Sequence, residues 1–117
     1  MRVRQLLPAL QAALGPGTAR ALARSAGQLR EDADALDALA PDLPDEPSVE
    51  HLLALAPALR ARALQRWAQR QAGAAVTSAH VDALRSLVER WRGQGAVWLP
   101  GGARVERSDG RLACRRD

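Results

Sequence analysis

The stretch GQGAVWLPGGARVERSDGRLACRR, residues 93–116, decides the fold prediction because it has the pattern of strands, whereas the chain before it has the pattern of helices. Apolar and polar side chains alternate through Ala103–Ser108 and again through Arg111–Arg115, which is typical of strands with one buried face. Asp109 and Gly110 between them form a strong hairpin signal. With a short strand at Ala96–Leu99 and the Pro-Gly-Gly turn after it, the stretch predicts a C-terminal antiparallel β-ribbon.

The predicted ribbon, residues 96–115, has two different faces. The alternation places its arginines on one face and its apolar side chains on a packed face, which holds Val97, Leu99, Val105, Leu112 and Cys114. Trp98 is out of phase with its neighbours, so it either packs on a helix or is an exposed aromatic ring for stacking on a base. We expect Cys114 to be a core residue, because no His lies nearby in sequence to activate its thiol.

The chain before the ribbon is rich in Ala and Leu, which are strong helix formers, and it contains neither Phe nor Tyr. In the segment 17–40 an apolar residue recurs in steps of four and three, a seam that packs one helix on another. The seam consists of Leu22, Ala26, Leu29, Ala33, Leu36 and Ala40. Three prolines within 41–48 then predict a connector. The VEHLLAL sequence that follows is ambiguous between a short strand and a helical turn.

The helix expected after the connector carries a row of arginines. Pro57 suits the first helical position, and Trp67 faces inward in the predicted pattern. Arg62, Arg66 and Arg70 follow one another in steps of four, which places them on one exposed face. Like charges at this spacing repel one another by a few tenths of a kcal/mol per pair. A row of arginines that is present despite this repulsion indicates an anionic partner.

The last predicted helix lies in VTSAHVDALRSLVERWRG, with Thr77 or Ser78 as its cap and Gly93 as its end. Its seam comprises Val81, Leu84, Val88 and Trp91. We expect a surface or capping role for His80 rather than metal binding, because the other His lies in a different element. Two seams predict helices packed side by side. The fold class is therefore α+β and mostly α: antiparallel helical hairpins packed together and ending in a small antiparallel β-hairpin or three-stranded ribbon.

The charge is distributed unevenly along the chain. Five arginines and eight acidic residues precede Leu59, whereas twelve arginines and five acidic residues follow it. A strongly basic half is what a nucleic-acid surface requires, although an ordinary solvated face has the same composition. All 17 basic residues are Arg, whose planar fork of donors matches phosphate and stacks on bases.

Composition and motifs limit the other functions. One cysteine cannot form an internal disulfide, and no apolar run approaches the roughly 20 residues that cross a membrane, so we expect a reducing, cytoplasmic setting without a membrane partner. The sequence contains no GxxxxGK[ST], CxxC, HExxH or GxSxG motif. We therefore predict no catalytic residue and no metal ligand. Read alone, the chain is a binding or packing module.

Three stretches in order resemble the tRNA(Ile)-lysidine synthase family. VRQLLPALQAALGPG is similar to the family's passage out of its catalytic domain, and LREDADALDALA is similar to the helix after it. LAPALRARALQRWAQRQAG, TSAHVDAL and VWLPGGARVERSDGRL resemble the substrate-recognition region, with its Arg-rich helix, its helix with a His-hydrophobic start and its Leu-Pro-Gly-Gly hairpin. The resemblance covers nearly the whole chain.

The resemblance implies a tRNA-binding fragment. Enzymes of the family use ATP, with Mg, to adenylate the wobble cytidine of an isoleucine tRNA with a CAU anticodon and then attach lysine, so that it reads AUA. Their ATP site is a Ser-Gly-Gly-x-Asp-Ser loop, which this sequence lacks. We therefore expect no cofactor here and no activity of the fragment alone. Residues 1–15 would be a linker helix after a missing catalytic domain, itself a partner, and residues 16–117 a helical tRNA-recognition domain. The resemblance does not indicate an oligomeric state.

Sequence pattern and resemblance place the same arginines against tRNA. The residues expected to contact it are Arg60, Arg62, Arg66 and Arg70, followed by Arg104 and Arg107. Arg4 matches the family's Val/Ile-Arg pair at the edge of the missing domain, where it has either an interdomain or an RNA contact. Such contacts position a substrate without reading its sequence.

Two other functions stay open on the sequence alone. Helices followed by a β-ribbon are also the order of a winged-helix DNA-binding domain, in which SAHVDALRSLVERW would be the recognition helix. Against this, Arg85 and Glu89 are spaced to pair with each other instead of reading bases. The third possibility is a structural or protein-interaction module whose seams are completed by a partner chain.

Overall fold

The computed structural model of the chain describes residues 16–116. The predicted linker helix at residues 1–15 and Arg4 lie outside the described residues. The chain divides into two units, one ending at Ala35 and the other beginning at Leu36. Helix α1, Pro16–Leu39, extends across this boundary.

The first unit is described only as the N-terminal part of α1. The helix is confirmed, but Leu22 and Leu29 of its predicted seam are 40% and 69% exposed. The expectation that this seam packs is wrong for these two residues. Only at the C-terminal end does the seam reach the core, where Ala40 is 6% exposed.

The second unit begins with the end of α1, and the non-helical segment 41–48 then leads into helix α2, Val49–Ala54. The Ser48 side chain caps this helix by accepting a hydrogen bond from the backbone N–H of His51 at 3.1 Å. Ser48 also forms an isolated antiparallel bridge with Arg111. The ambiguous VEHLLAL sequence is therefore mainly a short helix that begins beside the C-terminal hairpin.

Two longer helices follow, each with a clear start. Helix α3, Pro57–Ala72, has Pro57 at its first position and ends at Gly73, whose φ of 69° is left-handed. Helix α4, Ser78–Glu89, begins with a capping box. In it the Thr77 side chain accepts from the His80 backbone N–H, while His80 Nδ1 accepts from the Thr77 N–H. The capping role predicted for His80 is confirmed.

Helix α4 is shorter than predicted. It ends at Glu89 rather than near Gly93, and Trp91 beyond its end is 42% exposed. The prediction that Trp91 belongs to the inward seam is therefore wrong. The seam periodicity does not apply past Arg90, whose φ of −134° is not helical.

The chain ends in an antiparallel sheet of three strands in the order β1-β2-β3. The strands are β1, Val97–Trp98, β2, Ala103–Ser108, and β3, Arg111–Arg116. Asp109 and Gly110 in the β2–β3 turn have φ values of 52° and 73°, as the turn of a two-residue hairpin of this kind requires. Between β1 and β2 the Pro-Gly-Gly turn forms a short 3₁₀ helix.

The core lies between helices α2, α3 and α4 and the inner face of the sheet. Trp67 of α3 is fully buried there. Around it are the fully buried Leu52, Leu64, Leu84, Leu87, Val105 and Leu112. The predicted class is confirmed: an α+β fold, mostly α, with a three-stranded antiparallel ribbon.

Candidate nucleic-acid interface

The arginine row of α3 faces the segment that follows α1. Arg66 donates hydrogen bonds from Nη1 to the Asp37 carbonyl at 2.7 Å and from Nη2 to the Ala40 carbonyl at 2.5 Å. Arg70 donates to the Leu43 carbonyl at 2.5 Å. These three carbonyls lie at or just beyond the end of α1, where a helix leaves its last carbonyls without internal partners.

Two carboxylates complete this contact. Arg62 lies 3.7 Å from Asp37 Oδ1, and Arg66 lies 3.5 Å from Asp42 Oδ1. The side chains of Arg62 and Arg66 are 33% and 37% exposed. The expectation of an exposed row therefore holds only in part for Arg62 and Arg66, because their guanidinium groups already pair with the end of α1 and the segment after it.

Arg60 is not on the surface at all. It is 7% exposed, and its guanidinium donates to three carbonyls: Leu52 at 2.8 Å, Leu53 at 3.2 Å and Leu55 at 3.0 Å. The fourth bond, from Nη1 to Glu89 Oε2, is 2.8 Å long. Arg60, which the sequence predicts as a tRNA contact, thus joins the end of α2 to α4.

Glu89 is the acceptor that connects two arginines. It receives the Arg60 bond and a second one from Arg85 Nε at 2.9 Å. Burial of the carboxyl opposes its ionisation, but the hydrogen bonds from Arg85 and Arg60 outweigh burial and hold the pKa of Glu89 below its ordinary value. The Arg85–Glu89 pairing expected from their spacing is confirmed, so neither side chain is free to read bases from α4.

The outer face of the sheet is the face turned away from the core. Trp98 is directly opposite Arg104, and Arg104 is directly opposite Arg115, so the three side chains share one face. Trp98 is 57% exposed, and the Arg104 guanidinium lies 5.9 Å from the centre of its ring. The prediction that Trp98 is out of phase with a packed face is confirmed.

Glu106 holds the arginines of this outer face in place. Its Oε1 is 3.1 Å from Arg104 Nε and its Oε2 is 3.6 Å from Arg115 Nε. One carboxylate thus lies between two guanidinium groups and leaves this group of three side chains with an excess of one positive charge. The Arg115 side chain is 58% exposed. An exposed indole beside positioned guanidinium groups is suited to stacking on a base and to holding phosphate.

Arg107 lies on the other face of β2, contrary to the prediction that the ribbon's arginines share one face. It is three residues from Arg104, and an odd separation along a strand reverses the side. Arg107 Nη1 donates to the Leu87 carbonyl at 2.8 Å, and its guanidinium lies 4.8 Å from the centre of the Trp91 ring. The residue therefore packs on the end of α4.

The sequence pattern did not single out Arg115 or the exposure of Trp91. The hairpin register could have identified Arg115, because a turn at Asp109–Gly110 places Arg115 opposite Arg104. No comparable signal marks Trp91, whose exposure depends on where α4 ends. The neighbouring Arg116 donates to the carbonyls of Gln71 and Ala72 at 3.0 and 2.6 Å and closes the end of α3.

Three other features of the described residues bear on metal binding, thiol reactivity and membrane spanning. No group of three or more His, Cys, Asp or Glu side chains that could hold a metal occurs within residues 16–116. Burial raises the pKa of the Cys114 thiol, which disfavours the reactive thiolate. Among the described helices, none is long and apolar enough to cross a membrane.

Comparison with known proteins places the chain in a family. Residues 48–113, from the cap of α2 into β3, match the family model described as the TilS substrate binding domain. The chain is 49% identical to tRNA(Ile)-lysidine synthase of Salinispora arenicola over 95% of its length, and 44% identical to that of Thermobifida fusca over 99%. It covers 36% and 39% of these relatives, so it spans little more than a third of their length. The chain belongs to the TilS substrate binding domain family.

Proposed function

We propose that the chain binds tRNA, as the substrate-recognition part of a tRNA(Ile)-lysidine synthase. The match of residues 48–113 to a substrate-binding family carries this proposal, together with relatives that are named for a tRNA. The matched range contains α3, α4 and nearly all of the sheet, including Trp98 and Arg104. Ten of the twelve arginines that follow Leu59 lie within it, and Arg115 and Arg116 lie beyond it.

The outer face of the sheet supports this function best as a contact surface. It combines Trp98, which is 57% exposed, with Arg104 and the exposed Arg115. Arg62 and Arg70 are proposed as additional phosphate contacts, since Arg70 is exposed and Arg62 is held by a 3.7 Å ion pair, whereas Arg66 is held by two carbonyls. The remaining predicted arginines support the binding surface from within, through the carbonyls to which they donate: Arg60, Arg66 and Arg107.

The proposal extends to the identity of the tRNA and of the reaction. By resemblance, the substrate is an isoleucine tRNA with a CAU anticodon in the cytoplasm. ATP, Mg and lysine would be handled by a catalytic α/β domain, which is a proposed partner of this chain. The residues of this chain would hold and orient the tRNA.

The test is a salt titration of the 117-residue chain with tRNA and with duplex DNA of equal charge. We expect weak binding to tRNA that falls steeply with salt, because phosphate contacts release condensed counterions. Binding to tRNA should exceed binding to the duplex at every salt concentration. Equal affinity for both, or a preference for the duplex, would contradict the tRNA proposal and favour the winged-helix alternative.

A matched pair of variants locates the surface. R104Q/R115Q removes two charges from the outer face, and R20Q/R24Q removes two charges from exposed positions of α1. Only the first should weaken tRNA binding strongly. Equal losses would show that net charge, rather than this face, controls the affinity.

A further inference from the structure

The loop between α4 and β1 presents a second tryptophan. Trp91 is 42% exposed and is flanked in sequence by Arg90 and Arg92, both of which are also exposed. Two of the three tryptophans, Trp91 and Trp98, are exposed, whereas Trp67 is fully buried.

Arg90 donates to Ser86 Oγ at 2.8 Å and lies 3.7 Å from Glu89 Oε1, while its side chain stays 62% exposed. The loop therefore combines an exposed aromatic ring with two arginines, one of them positioned against α4.

The loop is held in shape by the side chain of Gln94. Its Nε2 donates to the carbonyls of Ser86 at 3.1 Å and of Arg90 at 3.3 Å, while its Oε1 accepts from the backbone N–H of Arg92 at 2.8 Å. These three bonds fix the residues on both sides of Trp91. A binding group fixed in advance loses less conformational entropy when it engages a ligand.

One face of the ring is already covered by a cation. The Arg107 guanidinium lies 4.8 Å from the ring centre and is anchored by its 2.8 Å bond to the Leu87 carbonyl. The exposed area of Trp91 is thus the part that Arg107 leaves uncovered. A planar ligand stacked there would form a layered arrangement of guanidinium, indole and ligand, which is favourable for an electron-rich ring.

We propose that Trp91 is a stacking site for one unpaired base of RNA, with Arg90 and Arg92 holding the phosphates on either side of that base. This inference rests on the proposed tRNA binding and adds a contact to it. Single-stranded loops are where RNA offers unstacked bases to aromatic side chains. Arginines on both sides of the tryptophan favour a nucleotide over an apolar protein surface, since a docking protein would have to desolvate both charges.

This site is separate from Trp98. Arg104, which lies over Trp98, and Arg107, which lies over Trp91, point to opposite faces of β2. The two tryptophans therefore contact different nucleotides, and their contributions to binding should add.

The experiment uses tryptophan fluorescence of the full chain. In W98F the exposed reporter is Trp91, because Trp67 is fully buried; in W91F the reporter is Trp98. Each variant is titrated with tRNA, with oligoadenylate and with duplex RNA of equal charge, and binding is followed independently by anisotropy of labelled RNA. Stacking should quench W98F with tRNA and oligoadenylate, whereas duplex RNA should leave its emission unchanged.

Affinity gives the second measurement. W91A should weaken oligoadenylate binding about tenfold, the loss of one stacked base, while W91F should retain most of the affinity. Because quenching in W98F leaves Trp91 in place, the inference stays testable even if W91A fails to fold.

Three outcomes would overturn the inference. Saturating tRNA without quenching in W98F would refute the stacking site and leave the proposed function standing. Binding of neither tRNA nor oligoadenylate by the wild-type chain would refute both. Quenching that rises with protein concentration in the absence of RNA would show that a second copy of the chain covers Trp91.

Discussion

Glu89 accepts hydrogen bonds from one arginine that is four residues away and from another that is 29 residues away in sequence. Helical spacing predicts the first of these bonds. The second depends on how α3 packs against α4, which no local pattern encodes. Helical spacing does set Arg60 apart from the four-step row, since it lies four residues before the buried Leu64, but the partners of its guanidinium are not encoded locally.

Glu89 should make the stability of the chain depend on pH. A carboxyl whose folded pKa is lowered contributes its full stability above its ordinary pKa of about 4.3, and this contribution is lost progressively as the pH falls from there through the lower folded pKa. We expect E89Q to lower the free energy of unfolding by about 2 kcal/mol at pH 7 and by much less at pH 3. Urea unfolding at both pH values measures this, with E31Q at an exposed site of α1 as the control. An equal loss at both pH values would contradict the role of the charge.

Arg60 should matter for stability and not for tRNA contact. Lysine cannot reproduce four directed hydrogen bonds, so we expect R60K to lower the free energy of unfolding by about 2 kcal/mol. R62K, at a partly exposed pair with a 3.7 Å separation, should change it by less than about 0.5 kcal/mol. The affinity of folded R60K for tRNA should equal that of the wild type. A specific loss of affinity in R60K would return Arg60 to the contact surface.

At the scale of elements, periodicity predicts α1, α3 and α4, and the strand pattern predicts the ribbon with its turn. Periodicity does not assign the correct partner to each face. The α3 arginines look solvated when the helix is considered alone, but they supply donors to the end of α1. Assigning faces by charge misplaces Arg107, because its odd separation from Arg104 puts it on the opposite side of the strand.

The arginines of α3 should limit local unfolding at the C-terminal end of α1. Removing the Arg66 donors exposes the Asp37 and Ala40 carbonyls to solvent competition, so R66Q should free the end of α1. The amide of Ala40, which donates to Leu36 at 2.9 Å, should exchange with solvent about tenfold faster, a change of about 1.4 kcal/mol. Hydrogen exchange read by NMR measures this. R92Q, in the loop after α4, should leave Ala40 unchanged, and equal acceleration in both variants would indicate global rather than local opening.

At the scale of the molecule, net charge overstates the basic surface that a partner meets. The sequence carries a formal charge of +4, and its second half is much more basic than its first. Several of those arginines are committed to carbonyls and carboxylates inside the fold. Charge counting can therefore predict a nucleic-acid partner, but it cannot locate the contact face.

The salt dependence of binding should reveal how many arginines touch phosphate. Each arginine removed from a phosphate should reduce the slope of log affinity against log salt by roughly 1, so R104Q/R115Q should lower it by up to about 2. R60K retains its charge and should leave the slope unchanged. Anisotropy titrations at several salt concentrations give the slopes. An unaltered slope in R104Q/R115Q would move the RNA contact away from the outer face of the sheet.

Arg66 donates to carbonyls at the end of α1, and Arg116 donates to carbonyls at the end of α3. These bonds restrict which basic residue can occupy the two positions. Arg66 bonds the Asp37 and Ala40 carbonyls from two different nitrogens.

Arg116 bonds the Gln71 and Ala72 carbonyls from Nη2 and the Gly101 carbonyl from Nη1, and the single ammonium of lysine reproduces such divided contacts with poorer geometry. A lysine-for-arginine version of this chain would present the same electric field to a nucleic acid, yet its helix ends would fray. In this chain arginine supplies both the positive charge and the hydrogen bonds that close the helix ends. Replacing it with lysine would keep the charge and weaken those hydrogen bonds.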